Sequence, residues 1–159
     1  EELARDDSPE WLVWQHALHF LNEAEGSLPD ALLVIPTTAP LRNVDDLQAC
    51  LLEFERGDAD VVVTVTDAHR NPYFNMVKSL PDGTVTPVNE WVKGSCRRQD
   101  APPVYDMTTV AYVARPDFVM SRNGMFEGRV RAIHIPPERA LDIDTPLDLR
   151  IAEFLASSQ

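Results

Sequence analysis

Seven residues in the middle of the chain, Asp60-Val-Val-Val-Thr-Val-Thr66, constrain its fold more than any other segment. β-Branched side chains lose rotamer freedom against the turns of a helix and pack well on a pleated surface, so this run is expected to be the strongest strand of the protein. Helical signals precede it. Asn43 and Asp46 frame a helix start, Leu47, Cys50, Leu51 and Phe54 form an apolar inner face, and Gly57 ends the helix. Earlier still, Ser8-Pro9 suits a cap and first helical position, followed by Trp11, Trp14, Leu18 and Leu21 at helical spacing. Ala31 to Ile35 is a short apolar run, expected to be a buried strand.

After the central strand, Tyr73 to Ser79 and Thr84 to Val88 flank Pro81-Asp82-Gly83, which reads as a hairpin. Thr108 to Ala114 is expected as another buried strand, Pro116 as the start of a short helix, and Val130 to Ile135 as a further strand. A closing helix carries Leu147, Leu149, Ile151, Ala152 and Leu155. Helices alternating with strands in this way argue for α/β layering around a mainly parallel sheet.

The 159 residues suffice for one domain that buries roughly two-thirds of its unfolded surface. A net charge of −12, from 14 Lys and Arg against 26 Asp and Glu, opposes nucleic-acid binding. It also obliges any anionic substrate to find a local basic cluster in a repulsive field. Cys50 and Cys96 have neither disulfide nor zinc spacing, which makes a reducing cytoplasm the expected compartment. No run approaches the roughly 18 apolar residues of a membrane span. The chain opens on Glu1 with no initiator Met or signal peptide, and a fragment of a longer protein is expected.

Three segments carry chemistry. In Ala140-Leu-Asp142-Ile-Asp144-Thr-Pro-Leu-Asp148, an extended backbone would place Asp142 and Asp144 on one face and turn Leu141 and Ile143 the other way. Thr145 reads as an N-cap, Pro146 as the first helical residue and Asp148 as the third position of a capping box. Two carboxylates at the mouth of such a turn suit Mg²⁺, which takes one or two protein acids plus substrate phosphates. The same residues equally suit a solvated acidic turn.

Ile35-Pro-Thr-Thr-Ala-Pro-Leu-Arg42 is a stiff strand-to-helix loop whose hydroxyls and Arg42 could orient a phosphate or sugar. Alternatively, Arg42 simply pairs with Asp45 or Asp46. Lys93-Gly-Ser-Cys-Arg97-Arg98-Gln99-Asp100 is the densest basic patch and could grip a carboxylate, or lie solvated. The histidines fit no metal spacing. Structural roles are expected for His16, His19 and His134, while His69, in a turn, stays open.

Taken in order, Glu2-Leu-Ala-x-Asp6, Pro36-Thr-Thr-Ala-Pro-Leu-Arg42, Arg98-Gln-Asp-x-Pro102-x-x-Tyr105 and Asp142-Ile-Asp144-Thr-x-x-Asp148 resemble the N-acylneuraminate cytidylyltransferases, the CMP-sialic acid synthetases. The resemblance covers essentially the whole chain. It implies a three-layer, Rossmann-like nucleotidyltransferase fold, with residues 1–159 as the C-terminal portion of a single cytidylyltransferase domain. It also implies a reaction in which CTP and a nonulosonic acid give a CMP-sugar and pyrophosphate, with Mg²⁺ as cofactor. By the same resemblance Asp142 and Asp144 hold the metal and act as the catalytic acids. Arg98 meets the sugar acid, Tyr105 lies beside that pocket, and Thr38, Pro40 and Arg42 line the cleft. Residues 74–105 are implied to form an arm that packs on a second subunit of a homodimer.

This chain departs from the family pattern at Pro36, where many members have Gln, and at Thr108-Thr109-Val110-Ala111-Tyr112, where members show Asn-Gly-Ala-Ile-Tyr. Phe74 stands where some members have Lys. The family's glycine-containing basic loop that cradles the CTP phosphates is not among these residues, so the chain by itself is expected not to turn over CTP. A non-catalytic acidic-sugar-binding module, or a cytidylyltransferase for another acidic sugar such as 3-deoxy-octulosonate, remain open alternatives.

Overall fold

The computed structural model describes residues 8–90 and 100–157. In chain order they form α1 (Glu10–Glu25), β1 (Leu32–Val34), α2 (Val44–Glu55), β2 (Val61–Asp67), β3 (Val77–Ser79), β4 (Val85–Pro87), β5 (Tyr105–Ala114), α3 (Pro116–Ser121), β6 (Val130–His134) and α4 (Pro146–Ser157). A single 3₁₀ turn, Met125–Glu127, links α3 to β6. This is the alternation that the sequence predicts.

Four strands form one sheet in the order β1-β5-β2-β6, and β3-β4 form a separate two-stranded hairpin. β5 runs antiparallel to both β1 and β2, whereas β2 and β6 are parallel. Three of the four strands therefore point one way, and β5 is the inserted exception.

Helices cover both faces. On one, Trp11, Trp14 and Leu18 of α1 pack with Phe118 and Val119 of α3 against Val61, Val63, Tyr112 and Ala114. On the other, Cys50 of α2 packs with Ala59, Val62, Ala111 and Val113, supported by Leu47, Leu51 and Phe54. Burial, and then the charge of Asp46, push the Cys50 thiol up to about 11, so it is an inert part of this core. Asn43 and Asp46 form the expected capping box of α2.

One expectation is corrected. The apolar run Ala31 to Ile35 is not a buried strand: β1 is three half-buried residues at the sheet edge, and Ile35 is 44% exposed. With a ladder neighbour on one side only, β1 has half the cover of a central strand. Along α4, only Ala152 is buried, while Leu147, Leu149 and Ile151 lie exposed.

The β2–β5 ladder breaks at one point. Val63 pairs with Tyr112, but Thr64 pairs with Thr108, so residues 109–111 bulge. Thr64 stabilises this irregularity. Its hydroxyl oxygen accepts from the Thr108 hydroxyl at 2.7 Å and the Ala111 N–H at 3.3 Å, and the same oxygen lies 3.2 Å from the carbonyl oxygens of Thr108 and Ala111, to either of which it can donate.

The hairpin is anchored by Asn71, which is buried. Its carbonyl accepts the N–H groups of Phe74, Asn75 and Met76. Its side chain accepts from Tyr73 N–H at 2.9 Å and donates to the Pro102 carbonyl at 3.0 Å. The hairpin is thereby tied to the segment entering β5.

Candidate functional site

Two loops meet where β1, β2 and β6 end. The first, residues 36–42, folds around its own arginine. Arg42 Nε donates to the Ala39 carbonyl at 2.8 Å, and its Nη2 donates to the Pro36 carbonyl. Neither Asp45 nor Asp46 takes Arg42, contrary to the pairing alternative read from the sequence. Asp46 is engaged elsewhere: it accepts a two-pronged bond from Arg139, at 2.9 and 3.1 Å from Nε and 2.9 Å from Nη2. That fork fixes the turn after β6 to the start of α2.

The second loop, residues 140–145, forms no ladder. Ile143 N–H donates to the Thr38 carbonyl at 2.9 Å, which joins the acidic segment directly to the first loop. The Thr38 hydroxyl also lies 3.5 Å from that of Thr109 on the β5 bulge. The expected capping box is present. Asp148 accepts from the Thr145 N–H and hydroxyl, both at 2.7 Å, and its own N–H donates to the Thr145 hydroxyl at 3.3 Å. These bonds, the Thr145 hydroxyl foremost, hold the Asp148 carboxyl below its ordinary value of 3.8.

A cleft of about 240 Å³ opens beside the second loop, at the end of β2 and the start of β5, lined by Thr66, Asp67, His69, Asp106, Thr108 and Asp142 among others. Of the sequence-predicted residues Asp142 lines this cleft, whereas Thr38 and Arg42 stay on the first loop, next to the acidic segment but not in the lining. Burial lowers the Arg42 pKa and the nearby Asp142 charge opposes that shift. Pro40 and Asp144 are exposed on the two loops. Tyr105 starts β5 opposite Asp67 and stands edge-on to His134, with centroids 6.1 Å apart. His134 Nε2 is in turn 3.2 Å from Asp67 Oδ1. Tyr105 thus borders the cleft through Asp67 and does not line it. Arg98, with Lys93 and Arg97, lies outside the described residues.

Asp142 Oδ1 is buried without a hydrogen-bond partner, a situation that suits coordination to a hard cation. Among the described residues, no three His, Cys, Asp or Glu side chains converge on one point. The Asp142 oxygen by itself would suit an ion that completes its shell with substrate oxygens and water.

Sequence reasoning missed Thr66, Asp67 and Asp106 as lining residues. The signal was available for the first two, which sit at the carboxyl end of the strongest strand, where open α/β sheets keep ligands.

The fold is shared with solved nucleotidyltransferases. A 4-diphosphocytidyl-2C-methyl-D-erythritol synthase from Anaerococcus prevotii superposes with a TM-score of 0.61 at 13% identity, covering 95% of this chain and 68% of that one. A CMP:2-keto-3-deoxy-manno-octonic acid synthetase complexed with CTP does so with a TM-score of 0.60 at 12% identity, covering 97% and 70%. No family model matches the chain.

Sequence relatives are more specific. The chain is 31% identical over 153 residues to a post-translational flagellin modification protein B of Campylobacter coli, covering 96% of this chain and 64% of that protein. It is 30% identical over 155 residues to a CMP-N,N'-diacetyllegionaminic acid synthase of Campylobacter jejuni, covering 98% and 65%. The chain thus spans somewhat less than two-thirds of the length of these relatives. Among the described residues, no helix is long and apolar enough to cross a membrane.

Proposed function

We propose that this protein takes part in transfer of CMP from CTP to a nonulosonic, sialic-type acid. In that reaction the acceptor's anomeric hydroxyl oxygen bonds to the α-phosphorus, the bond to the β-phosphate oxygen breaks, and pyrophosphate leaves while the hydroxyl proton passes to solvent. The observation that carries this reading is the 30% identity to a CMP-N,N'-diacetyllegionaminic acid synthase across 98% of the chain. The partnerless Asp142 oxygen in the cleft supports it independently.

In this reading Asp142 and Asp144 hold Mg²⁺, which would polarise phosphoryl oxygens and offset charge built up during transfer. Thr38, Pro40 and Arg42 shape the wall facing the acceptor. Arg42 works through the loop, since two of its donors are spent on the Pro36 and Ala39 carbonyls. Tyr105 borders the acceptor side and Arg98 takes the sugar carboxylate as a two-pronged partner. Residues 74–105 form the arm of a homodimer. An isolated two-stranded hairpin is marginal in water, and Val77 and Val85 of β3 and β4 are exposed, which supports a partner subunit as their cover. A cytoplasmic setting accompanies the reading, with Cys50 a free thiol.

The test is pyrophosphate release from CTP with Mg²⁺, using the polypeptide as its cell makes it and a panel of acidic sugars. Release with a nine-carbon acid is expected. Release with an eight-carbon 2-keto-3-deoxy acid only would reassign the acceptor, an outcome kept open by the fold shared with the octonic acid synthetase. Sugar binding indifferent to CTP, without release, would leave a non-catalytic module.

A further inference from the structure

Valine fills most of β2, but threonine interrupts it at Thr64 and Thr66, two residues apart and therefore on one face. Thr64 is fully explained by the fold, because its hydroxyl holds the β5 bulge. The hydroxyl of Thr66 has no such role. Its Oγ1 is buried without a hydrogen-bond partner, as is Asp142 Oδ1, and both residues line the same cleft. The hydroxyl of Thr108, also in the cleft, is committed to Thr64 and is unavailable to a ligand. A buried hydroxyl without a partner disfavours the fold, and valine would fill the same space in a strand without that penalty. Two such orphans, brought from β2 and from a loop 76 positions further along the chain (142 minus 66) into one cleft, point to a shared occupant.

We propose that Thr66 is a ligand-contacting residue of this cleft. With Asp142 it takes one hydroxylic group, which is a water carried by a bound divalent cation or a hydroxyl of the acceptor sugar. The assignment rests on the reading of the cleft as the site of cytidylyl transfer. The Thr66 hydroxyl donates to the incoming oxygen, and that oxygen's own O–H donates to the Asp142 carboxylate. A threonine is needed here because the donor must be short, and because a β-branched side chain keeps the strand.

The experiment compares the wild-type polypeptide, as its cell makes it, with Thr66→Val, Thr66→Ala and Thr66→Ser in two arms. Mn²⁺ alone is titrated by calorimetry and by its paramagnetic resonance signal. A nonulosonic acid is titrated in the presence of a non-hydrolysable CTP analogue. Loss of one hydrogen bond predicts about tenfold weaker binding in one arm for Thr66→Val and Thr66→Ala, with near-complete rescue in Thr66→Ser. Weakening in the Mn²⁺ arm identifies a cation-bound water, and weakening in the sugar arm alone identifies a sugar hydroxyl. Thr66→Val is also expected to melt at or above the wild-type temperature without ligand. Wild-type affinity in both arms for both hydroxyl-free variants would overturn the proposal while leaving the function intact. Failure of the wild-type polypeptide, as its cell makes it, to bind in either arm would remove the functional reading and this assignment with it.

Discussion

Where β2 and β6 begin, Asp58 and Asp60 sit among cations and amide donors; where those strands end, the carboxylates of Asp142 and Asp144 form no ion pair among the described residues. Asp60 meets Arg115 at 3.2 Å and accepts the Arg129 N–H at 2.8 Å. Asp58 joins Arg131, which also lies 3.5 Å from Glu53, and Glu53 is 2.7 Å from Arg56. One oxygen of Asp58 lacks a partner, but its twin is held by the Arg131 guanidinium. At the opposite end the nearby cation, Arg42, is turned onto carbonyls of its own loop, and Asp142 Oδ1 is left bare. The first end uses its carboxylates to join β2, α3 and the loop before β6. The second keeps an acid in reserve, at some expense in stability, as sites built for ligands commonly do.

The largest effect expected from this division is on turnover. Asp142→Asn, and likewise Asp144→Asn, should slow CMP transfer by about a hundredfold or more, since a divalent ion supplies several kcal/mol to charge stabilisation. Neither opens a cavity, so the melting temperature should hold or rise. Steady-state rates at saturating Mg²⁺ beside thermal melts check this, and an unchanged rate would remove the acid from the mechanism.

Gly128→Ala probes the other end. A Cβ there would run into the Phe118 ring and lie 2.7 Å from Asp60 Oδ2, so the substitution should destabilise by about 1–3 kcal/mol. Ligand affinity of the folded fraction should stay near wild type. If denaturant melts showed little loss while affinity fell as sharply as in Asp142→Asn, the two ends would not be separable.

The smallest effect belongs to the α4 cap. The Asp148 carboxyl is held low in the folded state, so its contribution is present above the ordinary value of 3.8 and is lost as pH falls through the folded value. Asp148→Asn should flatten that part of the acid unfolding curve followed by circular dichroism. An identical curve would mean that the cap adds nothing to the helix.

How far these features could be read beforehand depended on the chain distance they span. The Asn43–Asp46 and Thr145–Asp148 caps join residues three apart, and both were legible as motifs. The hairpin was legible for the same reason, because its turn chemistry at Pro81-Asp82-Gly83 is local. The Arg139–Asp46 fork spans 93 positions and the Thr64–Thr108 contact 44, and no spacing rule reaches either. The sequence suggested Asp45 or Asp46 for Arg42 because they were the near acids. Folding delivered Arg139 to Asp46 instead, and Arg42 turned to carbonyls.

The amino-acid order alone determined which segments are helix, strand or hairpin and where several of them start and stop, because propensity, capping and turn bonds act over a few residues. It also set the acidic pair beside a helix start. Tertiary structure decided that β5 enters antiparallel between β1 and β2, that β1 is a half-covered edge, and which carboxylates acquire cationic partners. It also decided that Thr66 and Asp142 share a cleft. Those outcomes turn on long-range packing that competes for the same donors and acceptors, and a residue's partner is settled only when every rival has been placed.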